Sequence, residues 1–207
     1  MLFRLGQYII IFFFKVFFRI QCFGLENVPT NGPLLVVANH ASNLDPPLCG
    51  VYLFFKRDMH FLAKKELFKN KILGWFITSL NTHPIRRGQV DRQAMKTVLD
   101  LLGKGNALML FPEGTRSRDG NLQPGKSGVG FLIYQAQAPV LPVYIDNTFK
   151  ILPRGKIFPR PCKVRVLIGE AQVWRDLLGQ EPDKELYQAI SDRCMEEINK
   201  LKSTLIT

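Results

Sequence analysis

Short apolar runs alternate along this chain with longer stretches of helical periodicity, and this alternation limits the folds open to it. Apolar runs of about four to eight residues that end at turn residues are typical of buried strands. Such runs occupy residues 34–38, 107–111, 140–145 and 164–168, and a further strand is predicted at 82–85. Helical spacing or helix-start residues mark 46–57, 91–104, 129–137 and a final stretch from Asp183. Strands alternating with helices predict an α/β fold, in which helices flank a mostly parallel central sheet.

The composition is that of a folded chain with one sizeable core. Of the 207 residues, 46% are hydrophobic and 22% are charged, and this balance excludes a disordered chain. The four cysteines are scattered and form no Cys-x-x-Cys pair. We therefore expect neither a zinc site nor a disulfide framework, and we assume a reducing compartment.

The charge is strongly basic and unevenly distributed. The formal net charge is +11; residues 1–170 hold 23 basic and 10 acidic side chains, and residues 171–207 hold 5 and 7. A basic body suits a nucleic acid, an anionic membrane, or a phosphorylated or acidic substrate. It is equally compatible with a solvated basic face that only aids solubility.

The first 24 residues predict an amphipathic helix in a membrane interface. Seven of the sixteen phenylalanines lie here, but the uncharged run is only ten residues long, about half of a bilayer span. No small-residue cleavage site follows it, which argues against a secretion signal. On a helix, Arg4, Lys15 and Arg19 fall within about 60° of one another, and most of the remaining circumference is apolar.

This interpretation divides the chain into an interface helix over residues 1–24 and a single domain over residues 25–207. Cationic side chains would meet lipid headgroups while aromatic side chains lie below them. Two alternatives remain open at this point. The segment could instead be an amphipathic helix buried in the domain, or a tilted span whose basic side chains snorkel to the surface.

A polar turn, Asn39–Asp45, follows the predicted strand 34–38, and in parallel sheets such turns line the ligand crevice. On a straight helix His40 and Asp45 would diverge by about 140°, but across a strand-to-helix turn they can meet. Asp45 could then accept the Nδ1 proton of His40 and leave Nε2 free to take a proton from an alcohol. The alternative is a helix-capping Asp45 beside a structural histidine.

A second polar turn, Phe111–Ser117, follows another predicted strand. Its glycine allows close backbone approach, its hydroxyl groups can bind a ligand, and Arg116 offers a fork suited to phosphate. Glu113 could order the loop or bind a substrate hydroxyl. Arg86 and Arg87, after the strand 82–85, could add positive charge. An ordinary surface loop would have the same composition.

Together the two turns resemble those of the glycerolipid acyltransferases, most closely the 1-acylglycerol-3-phosphate acyltransferases. The resemblance rests on Asn-His-x-Ser-x-x-Asp at 39–45 and Phe-Pro-Glu-Gly-Thr-Arg-Ser at 111–117, about seventy residues apart, and covers roughly residues 34–169. Weaker matches lie at 84–87, 125–128 and 140–143. The chain departs from the family pattern by an arginine at 86, an asparagine at 81 and a glycine at 125.

The resemblance implies a reaction and a set of site residues. His40 would be the general base that deprotonates the sn-2 hydroxyl of a lysophosphatidic acid, and Asp45 would hold its imidazole. The glycerol phosphate would be bound by Glu113, Gly114, Thr115, Arg116 and Arg87. Lys126 or a backbone N–H could stabilise the oxyanion. The acyl donor would be acyl-CoA or an acyl-acyl carrier protein, with no cofactor and no metal.

The resemblance also implies the partners and the location of the chain. The acceptor is a membrane lipid, so we expect a peripheral or monotopic enzyme on the cytoplasmic face of a membrane, in contact with anionic phospholipids. Its other partner would be CoA or carrier-protein thioesters. We expect no nucleic acid, because no aromatic-basic RNA motif is present. The sequence leaves the oligomeric state and the acyl chain length open.

Three other functions remain in competition. Residues 120–127 match the letters of a phosphate-binding P-loop, but they do not follow a strand directly. A non-catalytic lipid-binding module would account for the basic face, although it leaves His40 and Asp45 without a task. An acyltransferase or transacylase acting on another lysolipid is the third. His60 and His83 are interpreted as structural or surface residues.

Overall fold

The computed structural model of the protein describes residue 12 and residues 14–86, 92–156 and 158–205. Its strands are β1 (Gln21–Phe23), β2 (Leu34–Ala38), β3 (Met59–Lys64), β4 (Thr82–Ile85), β5 (Ala107–Leu110), β6 (Val140–Asp146) and β7 (Arg165–Ile168). Its α-helices are α1 (Asp45–Leu53), α2 (Lys71–Ser79), α3 (Arg92–Gly103), α4 (Ser127–Ala136), α5 (Thr148–Ile151), α6 (Arg175–Leu178) and α7 (Lys184–Ser203). Leu25–Asn27 and Lys65–Lys69 form short 3-10 helices.

The described strands form one sheet in the order β1-β7-β6-β2-β5-β3-β4. Six neighbouring pairs lie in this sheet; β6 and β7 are antiparallel, and the others are parallel. This architecture confirms the predicted α/β fold. Residues of α1 pack on one face of the sheet, and residues of α3, α4 and α7 pack on the other. The rule that crossovers between parallel strands are right-handed predicts α2 on the face of α1.

Two apolar layers bury the sheet on both faces. One layer joins Phe18 and Leu48 of the amino-terminal half to strand residues such as Val36. The other joins helix residues such as Ile133 and Ile190 to alternate strand residues. All five residues of β2 are buried, because a central parallel strand is covered on both sides.

The predicted strand at 34–38 has the same bounds in the structure, and that at 82–85 also matches. The sequence analysis did not identify β3 or α2. Strand β3 carries His60 and Lys64 among its apolar residues, so it lacks a continuous apolar run. The short helix α2 begins after Asn70, whose side chain accepts a hydrogen bond from the N–H of Leu73 at 3.0 Å.

The helix predicted over residues 1–24 lies partly outside the described residues, and the described part agrees with it only in part. Of that range, the structure describes residue 12 and residues 14–24; residues 14–18 are helical. The helix stops where Arg19 adopts a left-handed backbone conformation, with φ of 44°. Gln21–Phe23 then pair with β7 as an edge strand, so the helix prediction was wrong for these residues. No helix in the described residues is long and apolar enough to cross a membrane.

Helix α7 holds the start of α4 in place. Gly130 of α4 lies directly against the backbone of Tyr187, where a Cβ atom would overlap the Tyr187 carbonyl oxygen. The Ser191 hydroxyl donates to the Lys126 carbonyl oxygen at 2.8 Å, and the Gln188 amide donates to that of Gly125 at 2.9 Å. The carboxy-terminal helix therefore supports the segment on which Lys126 lies.

Candidate active site

The turn after β2 is anchored to β6 by a side chain. The Asn39 amide donates to the Ile145 carbonyl oxygen at 3.0 Å and accepts from the Ile145 N–H at 2.7 Å. Asn39 thus extends the contact between the strands by one residue beyond Ala38, which is paired with Val143. The position of the next residue, His40, is therefore set by the sheet. Sequence analysis assigned no role to Asn39, although its place between a strand and a histidine was a usable signal.

His40 and Asp45 meet across this turn, which their spacing allows. Asp45 Oδ2 lies 2.8 Å from His40 Nδ1 and accepts from the backbone N–H groups of Ala41 and Ser42 at 2.7 Å each. Both side chains are buried. Since a carboxylate can only accept, Nδ1 carries the shared hydrogen, and Nε2 of the neutral ring is the basic nitrogen. Asp45 is the first residue of α1, and its partners His40, Ala41 and Ser42 all precede the helix, so Asp45 organises the turn.

The second turn, Phe111–Ser117, contacts the first turn, Asn39–Asp45, at His40. The His40 ring stacks on Phe111, with ring centroids 4.1 Å apart and an interplanar angle of 21°. The His40 N–H donates to Glu113 Oε1 at 3.0 Å, and the His40 carbonyl oxygen accepts from the Ser117 N–H at 2.7 Å. Residues after β5 therefore fix the ring and both backbone polar groups of His40.

Glu113 is buried beneath this arrangement. Burial raises the pKa of its carboxyl from 4.5 to about 7, although the His40 N–H acts in the opposite direction. Its second oxygen, Oε2, is also buried and has no hydrogen-bond partner within the described ranges. The carboxyl group thus contacts the backbone of the histidine turn and is withdrawn from solvent.

The remaining residues that are predicted to bind substrate differ in their exposure to solvent. Gly114 has a φ of 64°, which favours glycine, and both it and Thr115 are exposed. A Cβ at Gly114 would lie 3.1 Å from Lys126 Cδ, so the structure brings Lys126 over this loop. Arg116 is half-buried. It makes no hydrogen bond or ion pair with other described residues. Arg87 lies outside the described residues.

His60 and His83 form a separate pair on β3 and β4. Their Nδ1 and Nε2 atoms lie 3.0 Å apart, and burial lowers the pKa of each ring. They lie near the amino ends of their strands, whereas His40 follows the carboxyl end of β2. In the described part of the chain, no group of three or more His, Cys, Asp or Glu side chains is placed to share a metal ion.

Comparisons with known proteins identify the family of this chain. The Acyltransferase family profile matches residues 19–146. The chain is 34% identical to a chloroplastic 1-acyl-sn-glycerol-3-phosphate acyltransferase of Brassica napus over 67% of this chain and 40% of that protein. It is 27% identical to the Bacillus subtilis 1-acyl-sn-glycerol-3-phosphate acyltransferase over 90% of this chain and 89% of that protein.

A solved structure is similar over almost the whole chain. The crystal structure of the 1-acyl-sn-glycerophosphate acyltransferase PlsC from Thermotoga maritima matches with a TM-score of 0.75 and 30% identity, covering 97% of this chain and 81% of that one. The chain spans only about two fifths of the length of the chloroplast proteins that it matches. The family profile nevertheless covers more than half of the chain, and the chain belongs to the Acyltransferase family.

Proposed function

We propose that this chain transfers a fatty acyl group from a thioester to the sn-2 hydroxyl of a 1-acyl-glycerol-3-phosphate, which yields phosphatidic acid. The names of its relatives support the acceptor. The single observation that carries the chemistry is the buried His40–Asp45 pair at the carboxyl end of β2, held against the loop that contains Arg116.

In the proposed reaction, His40 Nε2 takes the proton from the acceptor hydroxyl as the oxygen attacks the thioester carbonyl. A carbon–oxygen bond forms, the carbon–sulfur bond breaks, and the imidazolium returns its proton to the departing thiolate. Asp45 holds the ring and stabilises its cationic form. The alcohol of the substrate is itself the nucleophile, so the enzyme needs none of its own.

Substrate recognition is assigned to the cationic and exposed groups around the second turn. Arg116, with Arg87, would bind the phosphate, because a guanidinium fork matches phosphate oxygens. Gly114 and Thr115 would approach the glycerol, and Lys126 would lie beside the developing oxyanion. We assign Glu113 a supporting role, because its carboxyl already binds the His40 N–H. A direct contact between Glu113 and substrate stays a prediction.

The donor and the location are also proposals. Acyl-CoA and an acyl-acyl carrier protein are both anionic, so either would be attracted by the basic body of the chain. No cofactor or metal enters the proposed reaction. A lysophosphatidic acid resides in a bilayer, which supports a location at a membrane surface. The cytoplasmic face is proposed because we assume a reducing compartment for the four cysteines.

Acyl transfer can be tested with purified protein, lysophosphatidic acid and each thioester in turn, by following thiol release and phosphatidic acid formation. We expect His40→Ala to lower kcat by about 10²–10⁴-fold, the usual contribution of a general base. His83→Ala is the matched control and should keep wild-type turnover. Near wild-type turnover by His40→Ala would remove His40 from the mechanism, and exclusive use of another lysolipid would replace the proposed acceptor.

A further inference from the structure

Helix α2 exposes an unusual amount of apolar surface. Ile72 and Trp75 are 81% and 74% exposed, and Leu73 and Phe76 are exposed as well. Its one buried residue is Gly74, where a Cβ would lie 2.9 Å from the Phe68 carbonyl oxygen. The helix therefore sits directly on the preceding 3-10 helix and turns its large apolar side chains outward. Contiguous apolar surface of this kind marks a binding face.

The margin of this apolar face is basic. Four lysines in and around the two helices are exposed, together with a single acid, Glu66. The lysines are Lys64, Lys65, Lys69 and Lys71. A local charge of +3 around exposed Ile and Trp side chains is complementary to a bilayer with anionic headgroups, in which cations bind phosphates and apolar side chains enter the interface. Tryptophan in particular favours the boundary between water and acyl chains.

The rule that crossovers between parallel strands are right-handed predicts that α2 lies in the same layer as α1. Phe18 of the amino-terminal segment packs in the same core as Leu48 of α1, and Phe12 and Val16 are exposed. By this rule, the two apolar segments lie on the same side of the sheet, which favours contact of both with one membrane surface.

We infer that α2 and the 3-10 helix Lys65–Lys69 form a second membrane-docking surface, and that an anionic phospholipid bilayer covers it. This inference rests on the proposed function only for the membrane as the source of the acceptor. Two separated contacts would fix the orientation of the protein relative to the membrane plane. A single contact through the amino-terminal helix would leave the protein free to tilt.

The chain carries a native probe for this contact. Of its two tryptophans, Trp75 is exposed, whereas Trp174 is 4% exposed and donates its ring N–H to Gln172 at 3.1 Å. With phosphatidylcholine vesicles that contain about 30 mol% phosphatidylglycerol, Trp75 emission should shift to the blue and be quenched by brominated acyl chains. Trp75→Phe should bind equally well and lose the quenching. Unquenched Trp75 in vesicle-bound protein would overturn the inference.

A double variant that places two acidic side chains on this face gives a second test. Ile72→Glu with Trp75→Glu should weaken co-sedimentation with the same vesicles by about tenfold or more, because it removes apolar contact and adds repulsion. Val173→Glu, which alters an exposed apolar side chain elsewhere, should bind like the wild type. Unchanged binding of the double variant, or lipid-free dimers that the double variant abolishes, would assign the face to something other than a bilayer.

Activity measurements separate this inference from the proposed function. The double variant should lose turnover with acceptor embedded in vesicles and keep it with a short-chain, water-soluble lysophosphatidic acid. If the wild type has no acyltransferase activity in either assay, the proposed function fails, while the fluorescence and sedimentation results still decide whether α2 docks on lipid.

Discussion

At the residue scale, the histidine turn owes its geometry to polar groups that are satisfied locally. Asp45 Oδ2 accepts one ring and two backbone hydrogens, and Asn39 fastens the turn to β6. Because these groups are buried, loss of any one of them leaves its partner without a hydrogen bond, which lowers the free energy of unfolding by about 1–3 kcal/mol. By contrast, the exposed side chains of the second turn can be changed with little effect on folding.

Arg116 should act on substrate binding without acting on stability. Since its guanidinium makes no hydrogen bond or ion pair with the other described residues, Arg116→Ala should leave the unfolding temperature nearly unchanged. We expect it to raise KM for the phosphorylated acceptor by about tenfold or more, because a charged hydrogen-bond partner is lost. Steady-state kinetics with Arg118→Ala as the neighbouring exposed control check this. An effect confined to kcat would contradict the phosphate role.

Glu113 should make the protein less stable as the pH rises. Its pKa is raised from 4.5 to about 7 in the folded state, so the folded state binds this proton more tightly than the unfolded state. The contribution of Glu113 to the free energy of unfolding therefore falls between about pH 4.5 and 7 and then levels off. Glu113→Gln should lack that contribution.

Urea unfolding of the two proteins at several pH values measures this difference. The difference between them isolates Glu113 from His60 and His83, whose lowered pKa values act with the opposite sign. Glu66→Gln, on an exposed carboxyl, serves as the control and should retain the wild-type profile. A wild type and Glu113→Gln with parallel pH profiles would show that the folded-state pKa is ordinary.

At the element scale, the site depends on how closely α4 and α7 pack. Two glycines of α4 are only two residues apart but differ in surroundings: a Cβ at Gly130 would overlap the Tyr187 backbone, and one at Gly128 would meet nothing within 4 Å. We expect Gly130→Ala to destabilise the fold by about 1–3 kcal/mol through overpacking. Gly128→Ala should be neutral or stabilise it by up to about 1 kcal/mol.

Thermal and urea unfolding of these two variants test the packing. Because α7 also holds the backbone of Gly125 and Lys126, Gly130→Ala should additionally lower turnover, whereas Gly128→Ala should not. Equal stability of the two variants would mean that the helices separate without cost, and that α7 does not constrain the start of α4.

Sequence predicted the elements whose signals are local. The continuous apolar run of β2 predicts this strand with its observed bounds. The five-residue spacing of His40 and Asp45 allows contact across a strand-to-helix turn, and the family resemblance implies that they form a pair. Strand β1 was missed because only its backbone pairing with distant Arg165–Leu167 makes it a strand. The hydrogen bonds of Asn39 to Ile145 and the stacking of His40 on Phe111 were missed for the same reason, because they join residues far apart in the chain.

At the scale of the whole molecule, charge and apolar surface act together. Residues 1–170 carry a net charge of +13 and residues 171–207 carry −2, and the basic part of the chain also contains the strands that carry the site. Long-range attraction to an anionic surface concentrates the protein there, and apolar contacts then hold it at short range. The two contributions differ in how they respond to salt.

Binding to anionic vesicles should therefore weaken as salt is raised and then level off. Between about 0.05 and 0.5 M salt the Debye length falls severalfold, so the electrostatic part is screened while the apolar part persists. Co-sedimentation with phosphatidylcholine vesicles, with and without phosphatidylglycerol, measures both parts. Salt-independent binding to the anionic vesicles would mean that the basic surface makes no contact with lipid.

The contacts of the second turn, Phe111–Ser117, with His40 have a consequence for chimeras in which segments are exchanged between relatives. The histidine receives its backbone partners and its stacking surface from residues more than seventy positions away. A chimera that replaces one turn alone combines the histidine of one parent with contacting residues that belong to the other parent. Recombination within the family should thus preserve function only where both turns are inherited together.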